Sequence, residues 1–313
     1  MAKEHSLIGN KGIDDLKWAQ DLLERDIVES LQKINGELEK SPEELKAIEK
    51  INFYLNQELA TVGLDAVIVV EPERIHFLPQ EIYKQEVLKE HQDSPGIAYG
   101  AIHKALINVN DSSNRLVKYK TILHEMVHLG SFIKLQIKAD TKDLYLLRAG
   151  YQNYHPQEPV HEHFGGLNEA VTDLITFRIW YRNREALMKE FSISQEEVAE
   201  AKPASYEAYF QVLVKIIKGV ASQNNLVENK IWDKLVKNYF TGEVMFLREV
   251  EKTFGKGSLR ILAAMGSAEK VNSEENYKKQ SEFFSNINEE RRQELAKEIL
   301  SEQEWLKYQE RRN

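Results

Sequence analysis

The stretch His124-Glu125-Met126-Val127-His128 constrains this chain more than any other, because H-E-x-x-H puts two imidazoles one turn apart on a single helix face. Both rings can then converge on one metal ion, with Glu125 beside them. That spacing suits zinc, which takes three protein ligands and keeps a fourth position for water, leaving the neighbouring carboxylate free to act as a base. The surrounding residues predict a helix from about Asp111 to beyond Leu129. Leu116, Tyr119, Ile122, Leu123, Met126 and Val127 recur at helical spacing, Asp111, Ser112 and Ser113 offer N-caps, and no proline or glycine intervenes before Gly130. The plain alternative is a buried helix whose histidines bond to backbone or water.

With 313 residues, the chain can bury one large core or two modest ones. It has no cysteine, so thiolate zinc sites, iron–sulfur clusters, disulfides and cysteine nucleophiles are excluded, and any metal must be held by nitrogen and oxygen. Forty-two basic against fifty acidic residues leave a formal charge of −8, with no basic run to track a phosphate backbone; nucleic acid is not an expected partner. The first residues lack the apolar run of a signal peptide, and no run approaches the roughly 18 residues needed to span a bilayer. The expectation is a cytoplasmic protein without a membrane partner, with export by a route that needs no cleavable signal left open.

In chain order, Leu16, Ala19, Leu23, Ile27, Leu31 and Ile34 predict a helix from Asp14 to about Ile34, stopped at Gly36. Ser41-Pro42-Glu43-Glu44 reads as a capping box opening a second helix to about Ala60. The β-branched run Ala66 to Val70 and the stretch Arg74 to Leu78 predict strands. After a polar stretch from Gln80 to Pro95, Gly96 to Gly100 and Ala105 to Val109 predict a hairpin turning near His103 and feeding the H-E-x-x-H helix. Asp143 to Tyr154 suggests another hairpin, His155 to Gly166 a loop, and everything from Asn168 onward helices. Phe254-Gly255-Lys256-Gly257-Ser258 departs from the phosphate-binding G-x-x-x-x-G-K-[ST] pattern and reads as a helix stop and a new N-cap. The four tryptophans are expected in the core, and the charged tail from Glu274 as solvated helix.

Two histidines do not complete a catalytic zinc site, so a third donor is required. Glu162, Glu169, His155, His161 and His163 are the downstream candidates, with His163 the best substitute should Glu169 not serve. Glu169 and Asp173 lie four apart in Leu167-Asn168-Glu169-Ala170-Val171-Thr172-Asp173, so one carboxylate can bind metal while the other orients a ligand histidine. H-E-x-x-H followed on a later helix by N-E-x-x-[ST]-D resembles the ligand pattern of the gluzincins, the thermolysin-related zinc metallopeptidases; this chain has it as HEMVH and NEAVTD. The resemblance covers roughly Gly96 to Thr176, with a longer gap between the motifs than in thermolysin and no G-x-M-E-N motif of the aminopeptidase branch.

That resemblance implies one zinc per chain held by His124, His128 and Glu169, with Glu125 as general base and Asp173 behind a ligand histidine. It also implies a substrate strand at Ala98, Tyr99 and Gly100 and a peptide or protein substrate, cut inside the chain. A further donor is needed for the oxyanion, and Tyr206 is the candidate, ahead of Tyr209. The expected fold class is α+β: a zincin-like catalytic domain whose small mixed sheet packs on the H-E-x-x-H helix, followed by a mainly helical C-terminal half. The expected division is 1–62 helical, 63–166 sheet and H-E-x-x-H helix, and 167–313 helical with the third ligand. The competing reading is a zinc-binding regulatory or interaction protein on a peptidase scaffold without turnover. A third is a peptidase tuned to one protein partner, with the N-terminal helices as its exosite.

Overall fold

A computed structural model describes the chain apart from residues 1–4, 9–16, 19–20, 23, 26–27, 30, 66, 90–91, 110–113, 138–143, 156–157, 201–206, 266–273 and 313. The described residues are α+β and mostly helical, with thirteen bounded helices and two small sheets. Two compact units emerge, one of residues 1–149 and 175–203, the other of 150–174 and 204–313.

In the first unit, α1 (Pro42–Thr61) starts at the Ser41 capping box: the Ser41 hydroxyl accepts from Glu44 N, and the Glu44 carboxylate accepts from Ser41 N. Its buried face, Ala47, Ile48, Ile51, Leu55 and Leu59, continues into the core. Before it, helical residues lie between 17 and 29 and the chain turns over 31–36, so the first helix ends short of Ile34. The cause is the Glu37 carboxylate, which accepts from Ile34 N (3.0 Å) and so captures the donor that a continuing helix would use. The same carboxylate meets His76 Nδ1 at 2.7 Å and Lys40 at 3.2 Å, and these contacts outweigh its burial to hold its pKa below the ordinary value.

Residues 68 and 70 bond in the same direction, as alternate residues of an extended run do, but among the described residues 67–70 pair with no strand. Two asparagines of α1 take the place of a partner. Asn52 donates to Val70 O and accepts from Val70 N, both at 2.9 Å; Asn56 does the same for Ile68, at 2.6 and 2.8 Å. Residues four apart on a helix and two apart on an extended chain both advance about 6 to 7 Å, so the two amides fall in register with alternate residues.

A three-stranded sheet follows, ordered β2–β4–β3, with β2 (Ile75–Pro79) parallel to β4 (Lys104–Val109) and β3 (Gly96–Tyr99) antiparallel to it. Part of the polar stretch expected to be irregular is α2 (Gln80–Glu86), which buries Tyr83 against this sheet. Next comes α3 (Arg115–Gly130), packed on β3 and β4. Its cap is Asn114, whose Oδ1 accepts from Leu116 N; residues 111–113, expected to cap it, lie outside the described residues. β5 (Ile133–Ile137) pairs antiparallel with β6 (Leu144–Ala149) and parallel with β1 (His5–Ile8), neither β1 nor β5 having been expected.

The second unit opens with a turn at Gly150, then β7 (Gln152–His155), antiparallel to β8 (Glu158–His163). β8 corrects the expected loop: its pairing with β7 overrides the weak propensity of a polar stretch containing Pro159. α4 (Gly165–Arg182) begins there and ends among the residues of the first unit, followed by α5 (Arg184–Glu190) and α6 (Gln195–Glu200). The helical stretch expected from Asn168 onward therefore breaks at Asn183. α7 (Glu207–Gln223) touches α8 (Glu228–Thr241), α9 (Met245–Phe254) and α11 (Glu274–Ser285). α10 (Ser258–Ala263) starts at the expected glycine break, with Gly257 as its N-cap and the Tyr308 ring packed where a Cβ would stand. α12 (Glu289–Ile299) and α13 (Glu302–Arg312) complete the chain. The tail is not merely solvated: Phe283, Phe284, Leu295, Ile299 and Tyr308 are buried. Trp180 and Trp232 are buried, while Trp18 and Trp305 are only half-buried. No described helix is long and apolar enough to cross a membrane.

Asn52→Ala leaves the buried backbone of Val70 without partners and should cost about 1–3 kcal/mol in urea unfolding, more than Asn56→Ala, whose client Ile68 is half-buried. Glu197 in α6 accepts from Arg115 at the start of α3 and from Ser194 N, contacts that hold its pKa at about 2 against an ordinary 4.5. A carboxylate depressed in this way stabilises the fold above about pH 4.5, and that stability is lost as pH falls towards 2. Glu197→Gln should cost about 1 kcal/mol at pH 7, a figure kept small because Arg115 is half exposed, and the gap from wild type should close across that acid window. A gap that stayed constant with pH would contradict this.

Candidate metal centre

α3 presents its histidines as the spacing requires. The Nε2 atoms of His124 and His128 lie 3.1 Å apart, with ring centroids at 4.8 Å and planes at 69°. Two nitrogens bound to one zinc at 2.0–2.1 Å with a tetrahedral angle would stand roughly 3.3–3.4 Å apart, so the pair fits one ion to within a few tenths of an ångström. Glu169 on α4 joins them: one donor atom from each of the three residues falls within 4.8 Å of the others, and all three side chains are half-buried. Among the described residues this is the one group of three or more potential ligands. It can hold a metal ion, and its nitrogen and oxygen donors match what a cysteine-free chain has to offer.

The helix that carries Glu169 is anchored through the other face of NEAVTD. Asn168 is buried and its Oδ1 accepts from Tyr151 N at 2.9 Å, closing the Gly150 turn. The Thr172 hydroxyl donates to Asn168 O and meets the Tyr239 hydroxyl at 2.8 Å. At Gly150, φ is +54° and a Cβ would stand 2.4 Å from Asn168 Oδ1, so the turn closes on that amide only with glycine. Gly166 N donates to Met265 O at 2.9 Å, an approach that a Cβ would also prevent. Asn168 and Thr172 thus serve packing, while Glu169 and Asp173, one position on, lie on a separate face and are half-buried.

Glu125 is buried, under β3. A Cβ on Gly96 would stand 2.8 Å from Thr121 Cγ2 and 3.0 Å from Glu125 Oε1, so the strand seats on the helix through the missing side chain. Thr121 cannot easily turn aside, because its hydroxyl donates to Val117 O. Ile97 and Tyr99 face the other way, onto Leu78, Tyr83, Val87 and Leu106. Burial, with a smaller contribution from the Glu125 charge, pushes the Tyr83 phenol up to about 12, and its hydroxyl meets Ser94 Oγ at 2.7 Å.

The edge of this sheet can be read from one bond. Pro95 O accepts from Asn108 N at 2.9 Å, so alternation turns the backbone groups of Ile97 and Tyr99 towards β4 and those of Gly96 and Ala98 outward. β3 is an edge strand, so the N–H and C=O of Ala98 point away from β4 and those of Tyr99 towards it. Gly100 lies in the short turn before His103, with Ile133 where its Cβ would be.

Tyr206 lies outside the described residues. Tyr209 is half-buried, its ring edge-on to Tyr277 at 4.8 Å. His163 is exposed at the end of β8, outside the ligand group, and the side chains of His155, His161 and Glu162 lie outside the described residues. Gly96, which seats β3 on Glu125, was not singled out from sequence; glycine at the first position of a strand beside the H-E-x-x-H helix was the available signal. Comparison of the chain with protein families, with characterised proteins and with solved structures found no match.

Gly96→Ala should destabilise the protein by about 1–3 kcal/mol, as overpacking does. Adding Thr121→Ser removes the 2.8 Å contact while keeping the hydroxyl, so the double variant should recover part of the loss in urea unfolding. An alanine tolerated without cost would show that β3 does not sit on α3 in this way.

Proposed function

We propose that the chain is a zinc-dependent peptidase with a zincin-like catalytic domain, cutting within polypeptide chains. The observation that carries this reading is the pair of Nε2 atoms 3.1 Å apart, grouped with Glu169 and flanked in the same helix by a buried glutamate. His124, His128 and Glu169 would hold the ion, which when bound supplies Lewis acidity to a water and to the scissile carbonyl. Glu125 takes the proton from that water and returns it to the leaving amine. Burial beneath β3 keeps its carboxylate aimed in one direction. The outward N–H and C=O of Ala98 pair with extended substrate backbone, which holds the scissile bond along the edge of the sheet. Asp173, one turn beyond Glu169, is assigned to orient a ligand imidazole, and Tyr206 to donate to the oxyanion.

Metal analysis and turnover together test this. Wild type and Glu125→Gln should each carry about one zinc per chain, and Glu169→Ala should lose it. Wild type should hydrolyse members of an internally quenched peptide library, with Glu125→Gln slower by about 10²–10⁴-fold. Zinc retained with no hydrolysis of peptides or proteins would favour the regulatory reading, and zinc indifferent to Glu169 would overturn the ligand set.

A further inference from the structure

The β-branched run ending at Val70 has no part in the metal centre. Ile68 and Val70 turn their backbone groups to Asn56 and Asn52, so alternation turns those of Val67 and Val69 to the opposite edge. The side chains divide in the same way: Val70 is buried, while Val67 and Val69 are 69% and 61% exposed. Neither valine makes a hydrogen bond among the described residues. Exposed, extended, β-branched backbone with an open edge is ready to take up another strand, and nothing of the usual protection, a bulge or an inward charge, interrupts residues 67–70.

We propose that this edge docks an extended segment of a partner polypeptide, which adds to it as a strand: a short β-branched stretch flanked by lysine or arginine. Charge selects the occupant. Asp65 and Glu71 are both exposed and bracket the run, and Glu71 already bonds Arg74 at 2.6 Å, which leaves Asp65 to set most of the preference. A second copy of the chain pairing antiparallel about Ile68 would bring Asp65 opposite Glu71, a like-charge pair that destabilises a ladder. A basic flank meets the same positions favourably. Pro72, which opens a short turn, ends the edge and limits the docked segment to a few residues. The proposal goes beyond the peptidase reading, since such docking requires neither metal nor turnover.

The test uses the full chain, stripped of metal, in fluorescence polarisation with labelled Lys-Val-Thr-Val-Lys, its Glu-Val-Thr-Val-Glu counterpart, and the basic peptide N-methylated at every peptide bond, so that neither of its edges keeps a donor. The basic peptide should bind saturably and about tenfold more tightly than the acidic one. N-methylation should abolish binding, because it removes the ladder donors and leaves the side chains. Val69→Pro removes only an outward N–H and should also abolish it, whereas Val69→Thr should retain it. Circular dichroism checks that Val69→Pro is folded; if it is not, Asp65→Lys decides instead, by reversing the charge preference. Undiminished binding of the N-methylated peptide, or of the basic peptide to folded Val69→Pro, would overturn the proposal. So would a concentration-dependent dimer lost in Val69→Pro, which would make a second copy the occupant.

Discussion

A carboxylate buried in a helix between two imidazoles is the demand on which the first unit is built. Glu125 is buried, and β3 lies over it at Gly96. The strand can come that close only because Gly96 has no side chain, and its neighbours Ile97 and Tyr99 anchor it by packing in the opposite direction. The geometry that brings β3 down on Glu125 also leaves the outward backbone of Ala98 at the sheet edge. The same register thus places Gly96 over the glutamate and turns the backbone groups of Ala98 away from β4.

The second motif shows how one helix turn can serve structure and chemistry at once. Asn168 and Thr172 are consumed in closing the Gly150 turn and meeting Tyr239, which fixes the axial position and rotation of α4. Glu169 and Asp173 follow each by one residue and fall on another face. Glu169, on that other face, is the member of this helix that falls in the ligand group with His124 and His128. The glycines at 150 and 166 belong to the same anchorage, since each permits a backbone approach that any side chain would block.

Where structure was legible from sequence, its cause was local. The Ser41 box and Pro42 define the start of α1, and apolar spacing located α3 and the β3–β4 hairpin. Where sequence was misleading, the deciding partner was distant. Residues 67–70 are extended as their side chains prefer, but their partner is a pair of helix amides 12 and 18 residues upstream, and no strand pattern reveals that. The first helix ends early because a carboxylate beyond the turn takes a backbone donor. β8 forms because β7 is there to pair with it. The tail's charged residues hid a periodic apolar face that is evident once Phe283, Phe284, Leu295 and Ile299 are seen to be buried. The histidine pair was legible because a four-residue spacing on one helix is itself local; its approach to a carboxylate 41 residues on came only from motif resemblance.

Zinc K-edge X-ray absorption on the reconstituted full chain reads whether His124, His128 and Glu169 can converge on one metal ion. A convergent site gives a four-coordinate nitrogen and oxygen shell at about 2.0–2.1 Å, with outer-shell scattering from two imidazoles that falls to one in His128→Ala. A shell of about six oxygens without imidazole scattering, or one unchanged in His128→Ala, would contradict it.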